Sequence, residues 1–409
     1  MKFEPMHKIY YKRPQEWSDI LEARRNSEAS MALPIAIREY NRRNTYPAFF
    51  MYHPEVVTLL LILETKKTAF LRLVEPLPEI MVNHLLYSFL ASEVKASNDI
   101  EGVNSSRREI NEAIKDQGNK GLRFSSIVAK YLALGHLEEA VSYRVSQDVR
   151  DAYDEVMLAE ISKADWPDGQ IFRKGVVDLV SAQGKVIHRG LLPESEIVKD
   201  MDQALDMLND ESLQLPIRLA IFHYYIGYIH PFYDGNGRLN RFVTTMYLAS
   251  QYHPLISLRL SEVIKYNQKL YNQAFKLTTS EHNGGDVTFF VVEFLRLIEA
   301  AIDSASHVLE KRVQRLEQGR QTLANFFVRE GIEDTLLQAI YDLLLQASLF
   351  SRHMGLTKAD MMDVLGKSRG TLYSRFKQIP EDHIIKGKRG RNETYMLRMS
   401  GLKKNGIIP

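Results

Sequence analysis

Apolar positions recur along most of this chain at helical spacing. The stretch Leu219-Ala220-Ile221-Phe222-His223-Tyr224-Tyr225-Ile226-Gly227-Tyr228-Ile229 is apolar nearly all round, the pattern of a buried helix. It should end at His230, because Pro231 pushes the residue before it out of helical geometry. After a short loop, Arg238 to Leu248 is helical in pattern again. Earlier, Val56 to Leu63 and, past Pro76 and Pro78, Ile80 to Leu90 read as packed helices. The second of these can run on through Glu93 to Glu101 and stop at Gly102, a residue suited to the left-handed helix cap. Ser97 and Glu101 are four apart and share a face, which for an isolated helix end is an ordinary solvated surface. Helical patterning continues from about 105 to 154, with Ile127 to Leu134 its most apolar part, and returns at Val198–Leu208, Leu260–Tyr271 and Val287–Ile298. Tyr266 and Tyr271 fit amphipathic core tyrosines there. Residues 1–50, interrupted by Pro14, Pro34 and Pro47, read as a surface arm or short helices.

Two regions break the helical pattern. Val176 to Val180 and Lys185 to Arg189 flank a glycine-bearing turn and predict a β-hairpin, either filler or an edge able to align a partner strand. Near the C-terminus a charged connector over 305–330 precedes Gly355–Leu365, a turn at Gly366 and Ser368–Phe376, which is helix–turn–helix spacing. The hairpin-like Ile384–Leu397 then completes something similar to a winged helix. The expected fold class is mainly α.

With 409 residues, 45% hydrophobic and 25% charged, two or three domains are expected. The absence of cysteine excludes disulfides, thiol nucleophiles and thiolate metal sites, so any metal must use oxygen or imidazole. A net charge of +2 gives no global reason to expect nucleic acid or an anionic membrane. The hairpin tip is locally basic, with Lys386, Lys388, Arg389 and Arg391 against Glu393; DNA contact and protein docking stay open for it. No run reaches membrane-span length and the first residues lack a signal-peptide pattern, so the cytoplasm is the expected location.

The densest chemistry is His230-Pro231-Phe232-Tyr233-Asp234-Gly235-Asn236-Gly237-Arg238-Leu239-Asn240-Arg241. Gly235-Asn236-Gly237 lies at a helix N-terminus, where free N–H groups and the positive dipole end bind anions. Arg238 and Arg241 are three apart on one helix face and can grip adjacent phosphates. Asp234 supplies the hard oxygen that Mg²⁺ prefers when it also holds phosphates. Together they read as a phosphate site.

These twelve residues resemble the signature of the Fic family: His-Pro-Phe, a variable residue, an acidic residue, Gly-Asn-Gly-Arg, two variable residues and Arg. With the hairpin and flanking helices the resemblance covers roughly residues 80–300. It implies a Fic-type helical bundle with a β-hairpin flap at Val176–Arg189. Joined to the C-terminal reading above, this gives three expected parts: an N-terminal helical region over 1–110 with an inhibitory helix at about 90–102, a catalytic core over 111–304, and a connector with the winged-helix-like domain over 305–409. The resemblance implies His230 as general base, Asp234 as ligand of Mg²⁺ or Mn²⁺, Gly235, Asn236, Gly237 and Arg238 as phosphate cradle, and Arg241 as the residue that positions the terminal phosphate. ATP contacts would continue through Leu239 and Asn240; Tyr271, alone or with Tyr266, would meet adenosine; and Phe232 would anchor the loop in the core. The implied activity is transfer of AMP from ATP to a Tyr, Ser or Thr hydroxyl of a protein, self-modification included. Ser97-Asn98-Asp99-Ile100-Glu101-Gly102 resembles the family's inhibitory motif, so Glu101 would pair with Arg241 and displace the γ-phosphate. Other readings remain: removal of AMP, transfer of another phosphate-containing group as in the kinases of the Doc branch, or a DNA-binding regulator on an idle scaffold. A homodimer is equally open.

Overall fold

In the computed structural model the described residues are 2–116, 119, 121–134, 142–181, 183–350, 355–389 and 392–400. The chain begins with α1 (Met6–Lys12), α2 (Trp17–Arg25) and the strands β1 (Ser30–Ile37) and β2 (Tyr46–Met51). It continues through α3 (Pro54–Val74), α4 (Glu79–Ile100), α5 (Arg107–Lys115), α6 (Ser125–Ala133) and α7 (Ser146–Val156). The short strands β3 (Asp178–Val180) and β4 (Val186–Arg189) precede α8 (Glu194–Leu208), α9 (Leu215–Ile229) and α10 (Asn236–Gln251). Then follow α11 (Pro254–Ser257), α12 (Leu260–Tyr266), α13 (Gln268–Thr279) and α14 (Thr288–Glu330). The last elements are α15 (Thr335–Phe350), α16 (Lys358–Leu365), α17 (Arg369–Phe376), β5 (Ile384–Arg389) and β6 (Asn392–Leu397). The fold is mainly helical, and among the described residues no helix is long and apolar enough to cross a membrane.

The chain divides into two compact units, one of residues 1–71 and 86–305 and one of 72–85 and 306–409. The larger unit is built around α9, which buries every residue but Gly227, as its unbroken apolar pattern requires. Its sequence neighbours α8 and α10 pack on it, and α10 is almost as deeply buried. The hairpin β3–β4 is antiparallel, with Asp178 opposite Arg189 and Leu179 opposite His188.

Residues 1–50 differ from the expected arm or short helices. After α1 and α2 they form an antiparallel hairpin, β1 paired with β2, which carries Pro34 and Pro47 within its strands. In a two-stranded ribbon each strand has a free side, so a missing N–H need not break the ladder. The hairpin is fixed to the bundle by Phe49, whose N–H donates to the Gly285 carbonyl (3.0 Å) and whose carbonyl accepts from Val287 (2.9 Å). The predicted helix over Leu260–Tyr271 is broken at Asn267 into α12 and α13, and the segments predicted at 287–298 and 305–330 form one continuous α14.

In the smaller unit α15, α16 and α17 precede the hairpin β5–β6, and Leu356 makes an isolated antiparallel bridge to Tyr395. A reciprocal capping box between Thr357 and Asp360 starts α16, and Gly366 ends it in the left-handed conformation.

Candidate active site

The site is built at the turn from α9 into α10. His230 caps α9 in the left-handed region (φ 54°, ψ 63°), its N–H still donating to the Ile226 carbonyl at 3.0 Å. The loop is then nailed down by its apolar member. Phe232 is fully buried, stacked on Tyr153 at 3.7 Å and edge-on to Phe172 at 5.4 Å. The Asn236 side chain closes the loop from inside: its Oδ1 accepts from the Phe232 N–H (2.9 Å) and its Nδ2 donates to the Phe232 carbonyl (2.8 Å). Gly235, at φ 83°, makes the left-handed entry into α10. The side chain of Asn236 is therefore spent on the loop, and what this residue offers an anion is its backbone N–H. The N–H groups of the first turn of α10 have no acceptor within the helix.

A carboxylate already lies at that turn. Glu101 follows the last residue of α4, with Gly102 at φ 70° ending the helix as expected. Its Oε1 is 2.8 Å from Arg241 and presses on Gly237 so closely that a Cβ there would sit 2.0 Å from the same oxygen. The Arg241 side chain is 1% exposed, and it also donates from Nε to Ser97 Oγ (3.0 Å) and from a terminal nitrogen to the Ser97 carbonyl (2.9 Å). Arg238 is equally buried, 3.2 Å from Asp234, and its Nε is buried without a hydrogen-bond partner. Asp234 itself is half exposed and its other oxygen accepts from the Gly235 N–H. The structure thus brings Ser97, Glu101, Asp234, Gly237, Arg238 and Arg241 together.

The remaining predicted residues face elsewhere. Leu239 is fully buried in the core, and Asn240 donates from Nδ2 to the His223 carbonyl at 2.8 Å. Tyr271 is 8% exposed; its hydroxyl bonds His223 Nε2 at 2.6 Å and also meets the Arg241 guanidinium. On its other side Tyr271 lines a cavity of about 230 Å³ between α13 and α14, with Leu270, Phe290 and Phe294. Tyr266 is 80% exposed, not part of the core.

Four residues of this site had no signal in the pattern. Tyr153 donates to the Asp234 carbonyl at 3.1 Å from the far side of the loop. His223 joins Thr244 (2.9 Å) to Tyr271 behind Arg241. Glu93, fully buried on α4, accepts from the Ser261 N–H (2.9 Å), the Ser261 hydroxyl and the Thr245 hydroxyl (3.2 Å), tying the helix that carries Glu101 to α10 and α12. The fourth, Arg173, is fully buried against the backbone of His230.

Burial, then the charges of His188 and Arg173, pull the His230 pKa down to about 3, with the Gly227 carbonyl acting against them. Nδ1 is buried and makes no hydrogen bond of normal geometry. The imidazole is neutral near pH 7, able to take a proton. Burial likewise lowers His253 to about 4 and depresses His188 and His223. Glu93 moves the other way, raised by burial to about 7. In the unfolded chain the four imidazoles bind protons near their ordinary 6.5, so the stability they contribute is present above that pH and lost as pH falls towards the folded values. Glu93 has the opposite sign, its contribution lost as pH rises from 4.5 to about 7. With His7 and His53 included, six imidazoles are depressed against four raised carboxylates, Glu93, Glu160, Asp200 and Asp286, so the thermal midpoint should fall between pH 6.5 and 5, and less steeply in His230→Asn. Circular dichroism melts over that interval test this, and an unchanged midpoint refutes it.

Residues 145–248 match the Fic/DOC family, a stretch that contains the hairpin, α9 and the whole 230–241 turn. The fold is that of a Fic family protein from Desulfovibrio desulfuricans G20, whose structure is 19% identical with a TM-score of 0.50 over 88% of this chain and 98% of that one. A Fic domain containing signaling protein from Bacteroides thetaiotaomicron is 17% identical (TM-score 0.40, 62% of this chain, 97% of that one). Fic-1 from C. elegans is 20% identical (TM-score 0.41, 62% and 74%). The family is known for moving phosphate-containing groups onto proteins.

Proposed function

We propose that this chain is a protein adenylyltransferase that moves AMP from ATP to a protein hydroxyl and is restrained by its own Glu101. The observation that carries the proposal is the Glu101 carboxylate on Arg241 and against Gly237, an anion held where helix geometry and a buried guanidinium favour one. The buried, unpartnered Nε of Arg238, whose guanidinium is paired with Asp234, adds a donor on the first turn of the same helix. Two anions cannot hold one guanidinium fork, so ATP bound productively and Glu101 paired to Arg241 exclude each other.

In the reaction a hydroxyl oxygen of the target bonds to the α-phosphorus, the bond to the diphosphate leaving group breaks, and His230 takes the hydroxyl proton. With Nδ1 buried, Nε2 is the nitrogen left for that proton. Arg238 and the α10 amides hold the phosphates in line. Asp234, half exposed, offers the hard carboxylate oxygen that Mg²⁺ or Mn²⁺ takes when its other ligands come from phosphates. When bound, the cation neutralises phosphate charge. The β3–β4 hairpin, with Val180 and Ile187 exposed, would align the target segment by strand pairing.

Intact-mass spectrometry after incubation with ATP and Mg²⁺ tests the proposal. An AMP-sized increment is expected. A phosphate-sized increment would point to kinase-like transfer, and loss of AMP from a premodified protein, without gain, to the reverse reaction; either outcome overturns the adenylyltransferase assignment.

A second activity is proposed for the C-terminal elements, whose order of α15, the Leu356 bridge, α16, α17 and the β5–β6 hairpin supports the winged-helix reading. On α17, Leu372 and Phe376 are buried while Arg369, Thr371 and Ser374 are exposed, and the hairpin adds exposed Lys386 and Lys388. Arg391 and the Arg389 side chain lie outside the described residues. This surface would contact DNA phosphates, so gel-shift affinity should fall steeply with salt. No binding to a DNA duplex at low salt rules it out.

A further inference from the structure

We infer that Arg173 is a positioning residue, clamping the backbone of His230 to both ends of the β3–β4 hairpin. Its guanidinium is fully buried, and every hydrogen bond it makes goes to a backbone carbonyl. Nε donates to His230 at 2.9 Å, one terminal nitrogen to Gly175 at 2.6 Å just before β3, and the other to Leu191 at 3.1 Å just after β4. Its own N–H donates to the Pro231 carbonyl at 3.3 Å. No carboxylate lies within ion-pair distance of it among the described residues. Taking a guanidinium out of water for carbonyls alone costs several kcal/mol that a surface position would not incur. What the contact achieves is geometric: a planar fork with donors in fixed directions ties three chain segments to one point.

One of those segments has an uncommon conformation. His230 sits at φ 54°, in the left-handed region that few residues other than glycine occupy, histidine, asparagine and aspartate being the most frequent among them. The carbonyl bonded to Arg173 Nε is the one leaving that residue, so the fork fixes the peptide plane from which the imidazole is presented. Gly190 shows how close the fit is. A Cβ there would lie 2.2 Å from the Arg173 terminal nitrogen and 3.0 Å from the His230 Cβ. Neighbouring backbone bonds complete the knot, with Gly190 N–H on Val177 and Leu191 N–H on Ile229, both at 3.0 Å. The polar groups facing this knot from adjoining elements are His188, Tyr233 and, through Tyr233, Asp168.

The catalytic consequence rests on the adenylyltransferase proposal: the hairpin that aligns a target hydroxyl and the base that deprotonates it would share one anchor, fixing their separation. Two variants probe this. Arg173→Lys keeps the charge but replaces the fork with a single nitrogen, and Gly190→Ala retains the Arg173 residue but pushes its guanidinium aside. Hydrogen–deuterium exchange on the full chain should show faster exchange in peptides covering 174–192 and 226–234 only, by about tenfold or more. In a Glu101→Gly background both variants should lower kcat for AMP transfer by about 10- to 100-fold with KM for ATP unchanged, the scale of a slight misplacement of reacting groups. Parent-like exchange in both peptides overturns the inference, and so does protection lost evenly over the whole chain, which marks a merely structural role. A Glu101→Gly parent without AMP transfer counts against the proposed reaction alone, and the exchange data still decide the role of Arg173.

Discussion

Glu101→Gly is expected to raise self-labelling from ATP by about 10- to 100-fold. The range follows from what the substitution removes, one hydrogen bond between ionised groups, worth about 1.5–3 kcal/mol where the partner is buried, at about 1.4 kcal/mol per factor of ten. Arg241 is not left bare, because its bonds to Ser97 Oγ and the Ser97 carbonyl stay in place and keep the guanidinium aimed at the turn. The fold should tolerate the change. Glu101 lies beyond the last residue of α4, and that helix is fixed by Glu93 on Ser261 and Thr245 and by Lys265 on Asp99 at 2.7 Å. Ser97→Ala should behave differently, since it removes one acceptor from Arg241 while Glu101 remains. Labelled-ATP transfer, read for parent, Glu101→Gly and Ser97→Ala side by side, checks the ranking. Equal labelling in parent and Glu101→Gly refutes the inhibitory role of this carboxylate.

The parts of this site that were legible in sequence are those written in side-chain chemistry at fixed spacing. His230 before Pro231, the glycines framing Asn236 and the Arg238/Arg241 face all occupy the predicted helix ends, because proline, glycine and helical period act locally. The apolar run of α9 likewise announced a helix buried on every side. What escaped was written in the backbone or at long range. Arg173 bonds only carbonyls, so no partner residue type signals it. Glu93 meets Ser261 and Thr245 across more than 150 positions, and its buried carboxylate looks in sequence like any glutamate on a helix. Residues 30–51 hid a hairpin because prolines there argue against a helix without arguing for a ribbon. The break at Asn267 is equally silent, since Leu260–Tyr271 keeps helical spacing across it.

Replacing His230 separates chemistry from conformation, provided two substitutions are compared. His230→Ala and His230→Asn both remove the base, and each should cut AMP transfer by about 10²- to 10⁴-fold, the usual contribution of a positioned general base. Their effects on the fold should differ. At φ 54° an alanine incurs the left-handed penalty of about 1–2 kcal/mol, with no polar side chain to satisfy locally, whereas asparagine is at home in that region. His230→Ala should therefore melt below His230→Asn while both are equally inactive. The imidazole is already neutral well above pH 3, so raising pH from 6 to 8 should change the parent's rate little through this group. A proton acceptor with an ordinary imidazole pKa would instead show a rise across that interval. Transfer rates and melting midpoints of the two variants, with the parent's pH profile, decide among these. If His230→Asn kept more than about a tenth of the parent's rate, far above the residue's expected share, His230 would not be the base.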